Sequence, residues 1–141
     1  MSVQTTAWIR EFYDSFNRPK ESAEEVIEWV DAHYTKGVLF EDVSGDMNWD
    51  YEVLTQIYIA ASQSLVDQEH RPLKIVANEQ LASVEWEWVG KLVGQLGEFV
   101  GKGQSFSVRG ATIFEFDDGK ICRQADYWQF DKFAKQVTAP V

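Results

Sequence analysis

The chain has 141 residues, a formal net charge of −10, 45% hydrophobic and 14% aromatic residues. That length predicts one domain, residues 1–141, with enough chain to bury a core, and the composition excludes a disordered polypeptide. The acidic balance argues against nucleic-acid and anionic membrane partners, both of which need clustered Lys and Arg.

Trp8, Ile9, Phe12, Tyr13 and Phe16 recur at three- and four-residue spacing, which predicts a helix from about Thr6 to Asn17, ended by Asn17-Arg18-Pro19. Ser22 with Glu25 is a capping box. It opens a second helix with Val26, Ile27, Trp29, Val30 and Tyr34 on its apolar face and Gly37 at its close. Val38–Val43 reads as a short strand and Ser44-Gly45-Asp46 as a turn. A third helix is expected from roughly Asp50 to Leu65.

After Arg71-Pro72 the period changes to two, and strands are expected at Leu73–Ala77 and Leu81–Leu92. The glycine-studded stretch Gly90–Gly103 reads as a bent hairpin or a loop. Strands at about Ser105–Phe116 and Lys120–Phe130 flank the turn Asp117-Asp118-Gly119-Lys120, and a short polar tail follows. Helices first and a meander of strands afterwards predicts an α+β fold.

In the last strand Cys122, Gln124, Asp126, Trp128 and Phe130 share one face. If that face looks inward, burial raises the Asp126 pKa and suits it to acid–base work; otherwise Asp126 is a strand-end carboxylate facing water or an Arg. Asp42, at a strand-to-turn boundary, is the second candidate. Trp86 and Trp88 share one face of their strand and Glu85 and Glu87 the other, and either face could line a pocket or meet another subunit. Tyr58 and Trp128 are expected to shape the pocket.

His33 is placed near a pocket opening, and His70, in the polar run Asp67–Arg71, is expected to be solvated. No histidine or cysteine cluster has metal-ligand spacing, no phosphate loop precedes a helix, and no nucleophile elbow is present. No metal and no cofactor are therefore expected. Cys122 is alone, which points to a reducing cytoplasm. The N-terminus does not read as a signal peptide, and no apolar run approaches the roughly 20 residues of a membrane span.

The segment Val108–Phe133, with its glycine, Phe-x-Phe, Asp-Gly-Lys-Ile and Asp-Tyr-Trp, resembles the C-terminal hairpin of the nuclear transport factor 2-like superfamily. Within it the likeness is to SnoaL-like polyketide cyclases, with limonene epoxide hydrolases and ketosteroid isomerases as relatives. The resemblance extends over nearly the whole chain. It implies a cone: a curved antiparallel sheet with three N-terminal helices on its concave face, paired through the outer face into a homodimer. It also implies a pocket for a small hydrophobic or polyketide-like molecule, and cofactor-free proton transfer as in aldol cyclisation, isomerisation or dehydration.

By that resemblance Asp126 is the acid–base residue and Asp42 matches the proton-shuttling base of the isomerases. The isomerase oxyanion hole has its nearest counterparts in Phe12 or Tyr13 and in Thr112, but its Asp is absent. The epoxide hydrolases place an Arg and an Asp two apart where this chain has Glu85 and Glu87. Glu87 could stand in for the acid, yet no Arg accompanies it. The alternatives to a cyclase or isomerase are a non-catalytic ligand-binding or dimerisation module and, with less support, an epoxide hydrolase.

Overall fold

The structure, a computed structural model, describes residues 2–141. The first helix, α1 (Val3–Asn17), starts where Ser2 Oγ accepts a hydrogen bond from Thr5 N at 3.1 Å, satisfying one of the free N–H groups of its first turn. It buries Ile9, Phe12 and Tyr13. At its other end Lys20 Nζ donates to the carbonyls of Phe16 and Arg18 at 3.1 and 2.9 Å and stands 5.2 Å from the Trp29 ring. Helix α2 (Ala23–His33) is capped by Ser22, whose Oγ accepts from Glu25 N at 3.2 Å.

The expected glycine stop at Gly37 is not used. Tyr34 leaves the helix in extended conformation and opens strand β1 (Tyr34–Asp42), so Gly37 lies inside the strand. A short strand β2 (Met47–Trp49) turns back on β1, and α3 (Tyr51–Ser64) follows with Asp50 Oδ1 accepting from Val53 N at 2.9 Å.

Strand β3 (Leu65–Ala77) begins directly after α3, eight residues before the expected Leu73. It is an edge strand paired only with β4 (Leu81–Leu92), and irregularities between Val66 and Glu69 and between Pro72 and Lys74 break its alternation. The glycine-studded stretch is a hairpin linking β4 to β7 (Gln104–Asp117) around a small ladder, β5 (Gln95–Leu96) with β6 (Phe99–Val100). Asp118 and Gly119, at φ 51° and 78°, form the tight turn into β8 (Lys120–Trp128), the left-handed pair that suits a hairpin. The expected polar tail is instead a fourth helix, α4 (Phe130–Val137), which packs Phe133 and Val137 with Leu65, Leu92, Phe106 and Val108.

The six-stranded sheet has the order β2-β1-β8-β7-β4-β3. It is mixed, not wholly antiparallel as expected, because β1 and β8, distant in sequence, run parallel. The architecture is the α+β cone, with a curved, unclosed sheet. Register puts Asp42, Asp126, Thr112 and Val84 in one row across β1, β8, β7 and β4. A second row is Phe40, Gln124, Phe114 and Ala82, and a third is Trp128, Gly110 and Trp86. These rows carry Phe40, Val84, Trp86 and Phe114 at 3% exposure or less, so this face is the inside of the cone. Gly110 is needed where two tryptophans meet over one backbone: a Cβ there would lie 2.5 Å from Trp128 Cβ and 2.7 Å from the Trp86 ring.

Candidate active site

Asp126 lies on the inner face, flanked by Asp42 on one neighbouring strand and Thr112 on the other. Its Oδ1 accepts from Thr112 Oγ1 at 2.7 Å and from Gln124 Nε2 at 3.2 Å. Both donors are themselves oriented. Trp86 Nε1, a donor only, gives its proton to Thr112 Oγ1 at 2.8 Å, which turns the threonine proton toward the carboxylate. Gln124 Oε1 accepts from the Tyr34 hydroxyl at 2.7 Å. That uses the one Tyr34 proton, so the Tyr58 hydroxyl, 2.8 Å away, donates to Tyr34. Two aligned relays, Trp86–Thr112 and Tyr58–Tyr34–Gln124, thus converge on a single carboxylate oxygen.

The electrostatics set desolvation against these donors. Burial pushes Asp126 up to about 7, the Asp42 carboxylate adds to the rise, and the Thr112 and Gln124 bonds oppose it. No cation pairs with Asp126 among the described residues. Its Oδ2 accepts no hydrogen bond, and the residue keeps intermediate exposure although it sits deep in the protein. Tyr13, buried on α1, is pushed well above the usual phenol range by burial first and by the Asp126 charge second, while its contact with Thr112 pulls the other way.

Asp42, 4% exposed, accepts from Trp128 Nε1 at 2.8 Å and from Gly45 N at 3.2 Å. Burial raises its pKa against those two bonds. Ser44 Oγ accepts from Trp128 N at 2.7 Å and so holds the tryptophan at the turn after β1. Two carboxylates in one row, both desolvated, favour a state in which at least one carries a proton near neutral pH.

A cleft of about 360 Å³ opens between the end of α1, the start of α2, α3 and the start of β3, lined among others by Phe16, Lys20, Trp29, Tyr58, Ala61 and Gln68. Tyr58 joins it to the carboxylate through Tyr34 and Gln124. Asp126 itself is not part of the cleft wall; it stands behind Tyr58.

The inner face therefore brings together Asp126, Asp42, Thr112, Trp128 and Trp86, with Tyr58 at the end of the relay. Three other expected residues lie elsewhere. Glu87 points outward and pairs with Arg71 at 2.9 Å, because period two places it opposite Trp86 and Trp88; it does not line the pocket. His33 lies on the seam of α1 and α2 against Trp8, Phe12 and Trp29, and its Nδ1 meets Trp29 O at 2.7 Å. Phe12 is 3% exposed and packs on Trp29, Tyr34 and Phe114, so it belongs to the core.

His70, expected in solvent, is instead half-buried against aromatic rings, and burial pushes its imidazole down to about 3. The residues that the sequence argument passed over are His70, Gln124 and Tyr34. For His70 the available signal was alternation in Gln68-Glu69-His70-Arg71: Gln68 and His70 are half-buried, whereas Glu69 and Arg71 are exposed.

The family model described as SnoaL-like domain matches residues 9–124. The chain also resembles solved structures. A candidate SnoaL-like polyketide cyclase from Jannaschia sp. CCS1 superposes with a TM-score of 0.81 at 14% identity, over 98% of this chain and 94% of that one. A candidate polyketide cyclase from Xanthomonas campestris pv. campestris gives 0.76 at 18% identity, over 94% and 96%. TsrD from Streptomyces laurentii gives 0.78 at 16% identity, over 99% of both chains. At these identities the likeness establishes the fold alone. No curated protein sequence matches the chain.

Proposed function

The chain belongs to the SnoaL-like domain family, and from that premise we propose that it is a cofactor-free pocket enzyme that moves protons on a small hydrophobic, polyketide-like molecule. The observation that carries this reading is Asp126, desolvated to about 7, with one oxygen held by Thr112 and Gln124 and the other free. A base whose pKa sits near the working pH gives the best compromise between being deprotonated and being basic enough to act.

In the proposed step Asp126 Oδ2 takes a proton from carbon next to a ketone. The C–H electron pair moves into the carbonyl and an enolate forms. In an aldol closure the enolate carbon attacks a second carbonyl, a C–C bond forms, and the new alkoxide takes the proton back from Asp126. Isomerisation uses the same two transfers with the proton returned to a different carbon. Asp42 would act as the neighbouring charge that keeps Asp126 from ionising too early. Trp86, Trp128 and Tyr58 would supply the apolar walls and excluded water that a carbon acid requires.

The test is exchange of α-protons for solvent deuterium in a panel of enolisable aromatic ketones, followed by NMR. Exchange above the buffer rate is expected for at least one member. If none exchanges while some bind, the protein is a ligand-binding module instead. One observation favours that second reading: Phe16 and Tyr58 line the cleft while Asp126 does not. Epoxide hydrolysis has no comparable support, since Glu85 and Glu87 lie outside, paired with Arg109 and Arg71.

The proposal includes a homodimer through the outer face of the sheet. Leu39, Val76, Leu81, Ile113 and Tyr127 are 39–55% exposed there, an apolar set on one surface. Sedimentation at micromolar concentration is expected to give twice the 16.2 kDa chain mass; a monomer alone contradicts this part. Among the described residues no helix is long and apolar enough to cross a membrane. A cytoplasmic setting is part of the proposal.

A further inference from the structure

Strand β3 carries one extra residue where it borders the cleft. Val66 pairs with Lys91 and Glu69 with Val89, so Asp67 and Gln68 together face the single residue Gly90. That is a β-bulge, which re-aims a side chain. Three features hold it. Asp67 takes the left-handed φ of 53°, a region that Asp tolerates better than most residues. Gly90 leaves room for the bulge: a Cβ there would lie 3.0 Å from both Cα and Cβ of Gln68 and 3.1 Å from the Phe106 ring. Trp88 Nε1 donates to Gln68 Oε1 at 2.8 Å.

An indole N–H can only donate, so the Gln68 atom it meets is the oxygen, and the amide cannot be turned round. Both protons of Gln68 Nε2 are left over, with no acceptor among the described residues. The atom is not enclosed either, since His70 Nε2 is the one buried side-chain nitrogen or oxygen without a partner among the described residues. The open space that Gln68 borders is the cleft of about 360 Å³, whose wall includes Phe16, Trp29 and Tyr58. The cations of that cleft are already engaged. Lys20 Nζ donates to the carbonyls of Ser15, Phe16 and Arg18, three bonds for three protons. Arg18 pairs with Glu11 at 3.3 Å, and Asp67 adds negative charge beside Gln68.

We propose that Gln68 selects the ligand of this cleft: its amide N–H group donates to the carbonyl oxygen of a neutral, planar aromatic ketone lying against Phe16, Trp29 and Tyr58, in preference to the matching hydrocarbon or carboxylate. A hydrocarbon of the same shape displaces water from the amide and leaves its protons unanswered. A carboxylate gives up its hydration and meets no unengaged cation, with Asp67 repelling it. The ketone alone satisfies a neutral donor in a largely apolar wall, the usual arrangement by which such a site fixes orientation. This names the substrate class of the pocket proposed above and rests on that reading for its ketone; recognition by Gln68 needs no proton transfer.

The probes are acetophenone, ethylbenzene and benzoate, alike in shape and different at one group, titrated into the whole chain with binding followed by ligand-observed NMR. The ratio of ketone to hydrocarbon affinity is expected to be about tenfold higher in the wild type than in Gln68→Glu, the worth of one buried hydrogen bond. Glutamate can still accept from Trp88 Nε1, so the bulge keeps its anchor while the donor is lost. Gln68→Met, which removes the donor without adding charge, should lose the same preference. Benzoate should bind the wild type more weakly than acetophenone. The inference is overturned if either variant keeps the wild-type ratio, if benzoate binds the wild type more tightly than acetophenone, or if acetophenone does not bind the wild type at millimolar concentration. Asp126→Asn should keep the wild-type ratio while losing deuterium exchange of the acetophenone methyl protons. A Gln68-dependent ratio with no exchange in the wild type would defeat the acid–base reading and leave the selection by Gln68 standing; exchange with a ratio indifferent to Gln68 would do the reverse.

Discussion

Asp126→Asn is expected to slow proton transfer by about 10²–10⁴-fold, the usual loss for an acid–base residue. The amide is nearly isosteric with the carboxyl group and can still accept from Thr112 Oγ1, so the relay from Trp86 survives. Affinity for an apolar ligand should change by only a few-fold. The variant should also melt higher above neutral pH. Moving Asp126 from 3.8 to about 7 means that the native state resists ionising it by an amount on the order of 4 kcal/mol at pH 8. Asparagine carries no such charge. Gln124 Nε2 can still donate to that same amide oxygen, and the new NH2 takes the place of Oδ2, which accepts no hydrogen bond in the wild type. A variant that keeps full turnover would remove Asp126 from the mechanism and leave Asp42 as the remaining inward carboxylate.

The second large effect is in the pH dependence of stability, where two buried groups oppose each other. Asp126 has a folded pKa raised from 3.8 to about 7. Its contribution is complete below about 4 and is lost as pH rises toward 7, because the native state holds the proton longer than the unfolded chain. His70 has a folded pKa lowered from 6.5 to about 3. Its contribution is complete above 6.5 and is lost as pH falls toward 3.

Between about pH 4 and pH 6.5 the two slopes therefore cancel in the wild type, each being about 1.4 kcal/mol per pH unit. Relative to the wild type, His70→Phe should lose stability as pH rises through that window, and Asp126→Asn should gain it. Urea unfolding at half-unit pH steps measures both differences. Groups common to all three proteins and remote from both sites, such as Asp31 with its Tyr51 and Lys36 bonds, drop out of the comparison. Parallel curves for the three proteins would show that neither group is desolvated as described.

Much of this site was visible in the sequence because it rests on short-range periodicity. The alternation that grouped Gln124, Asp126 and Trp128 on one face of β8 matches the inner rows, although the direction of that face was open in the sequence. At the strand's start the irregularity between Glu115 and Phe116 breaks the pattern, and Ile121 rather than Cys122 joins the core. Ser22 marked the start of α2 through cap chemistry, and the start of α3 near Asp50 followed from periodicity. The failures came where long-range contacts decide.

Tyr34 was assigned to α2 because its spacing continued the apolar stripe, yet β8 captures it as a strand residue and no glycine marks the change. The parallel pairing of β1 with β8 joins segments some eighty residues apart and has no local signal. Phe130, Phe133 and Val137 do carry helical spacing, but α4 has only eight residues and was hidden among Gln, Asp and Lys. His70 was missed for a different reason. On an edge strand the outward residues are charged, and here the inward ones, Gln68 and His70, are polar too, so no contrast of hydrophobicity revealed the alternation. Its burial comes from α1 and β4, which the local sequence does not contain.

The most direct test of the account is a site-resolved titration of the Asp126 carboxyl carbon by 13C NMR, assigned by its absence in Asp126→Asn. A midpoint near 7 is expected, displaced from the ordinary 3.8 by burial, and shifted lower when Asp42 is replaced by Asn, since the Asp42 charge adds to the rise. A midpoint near 4, unmoved by that replacement, would mean a solvated carboxylate and would contradict the acid–base role at its root.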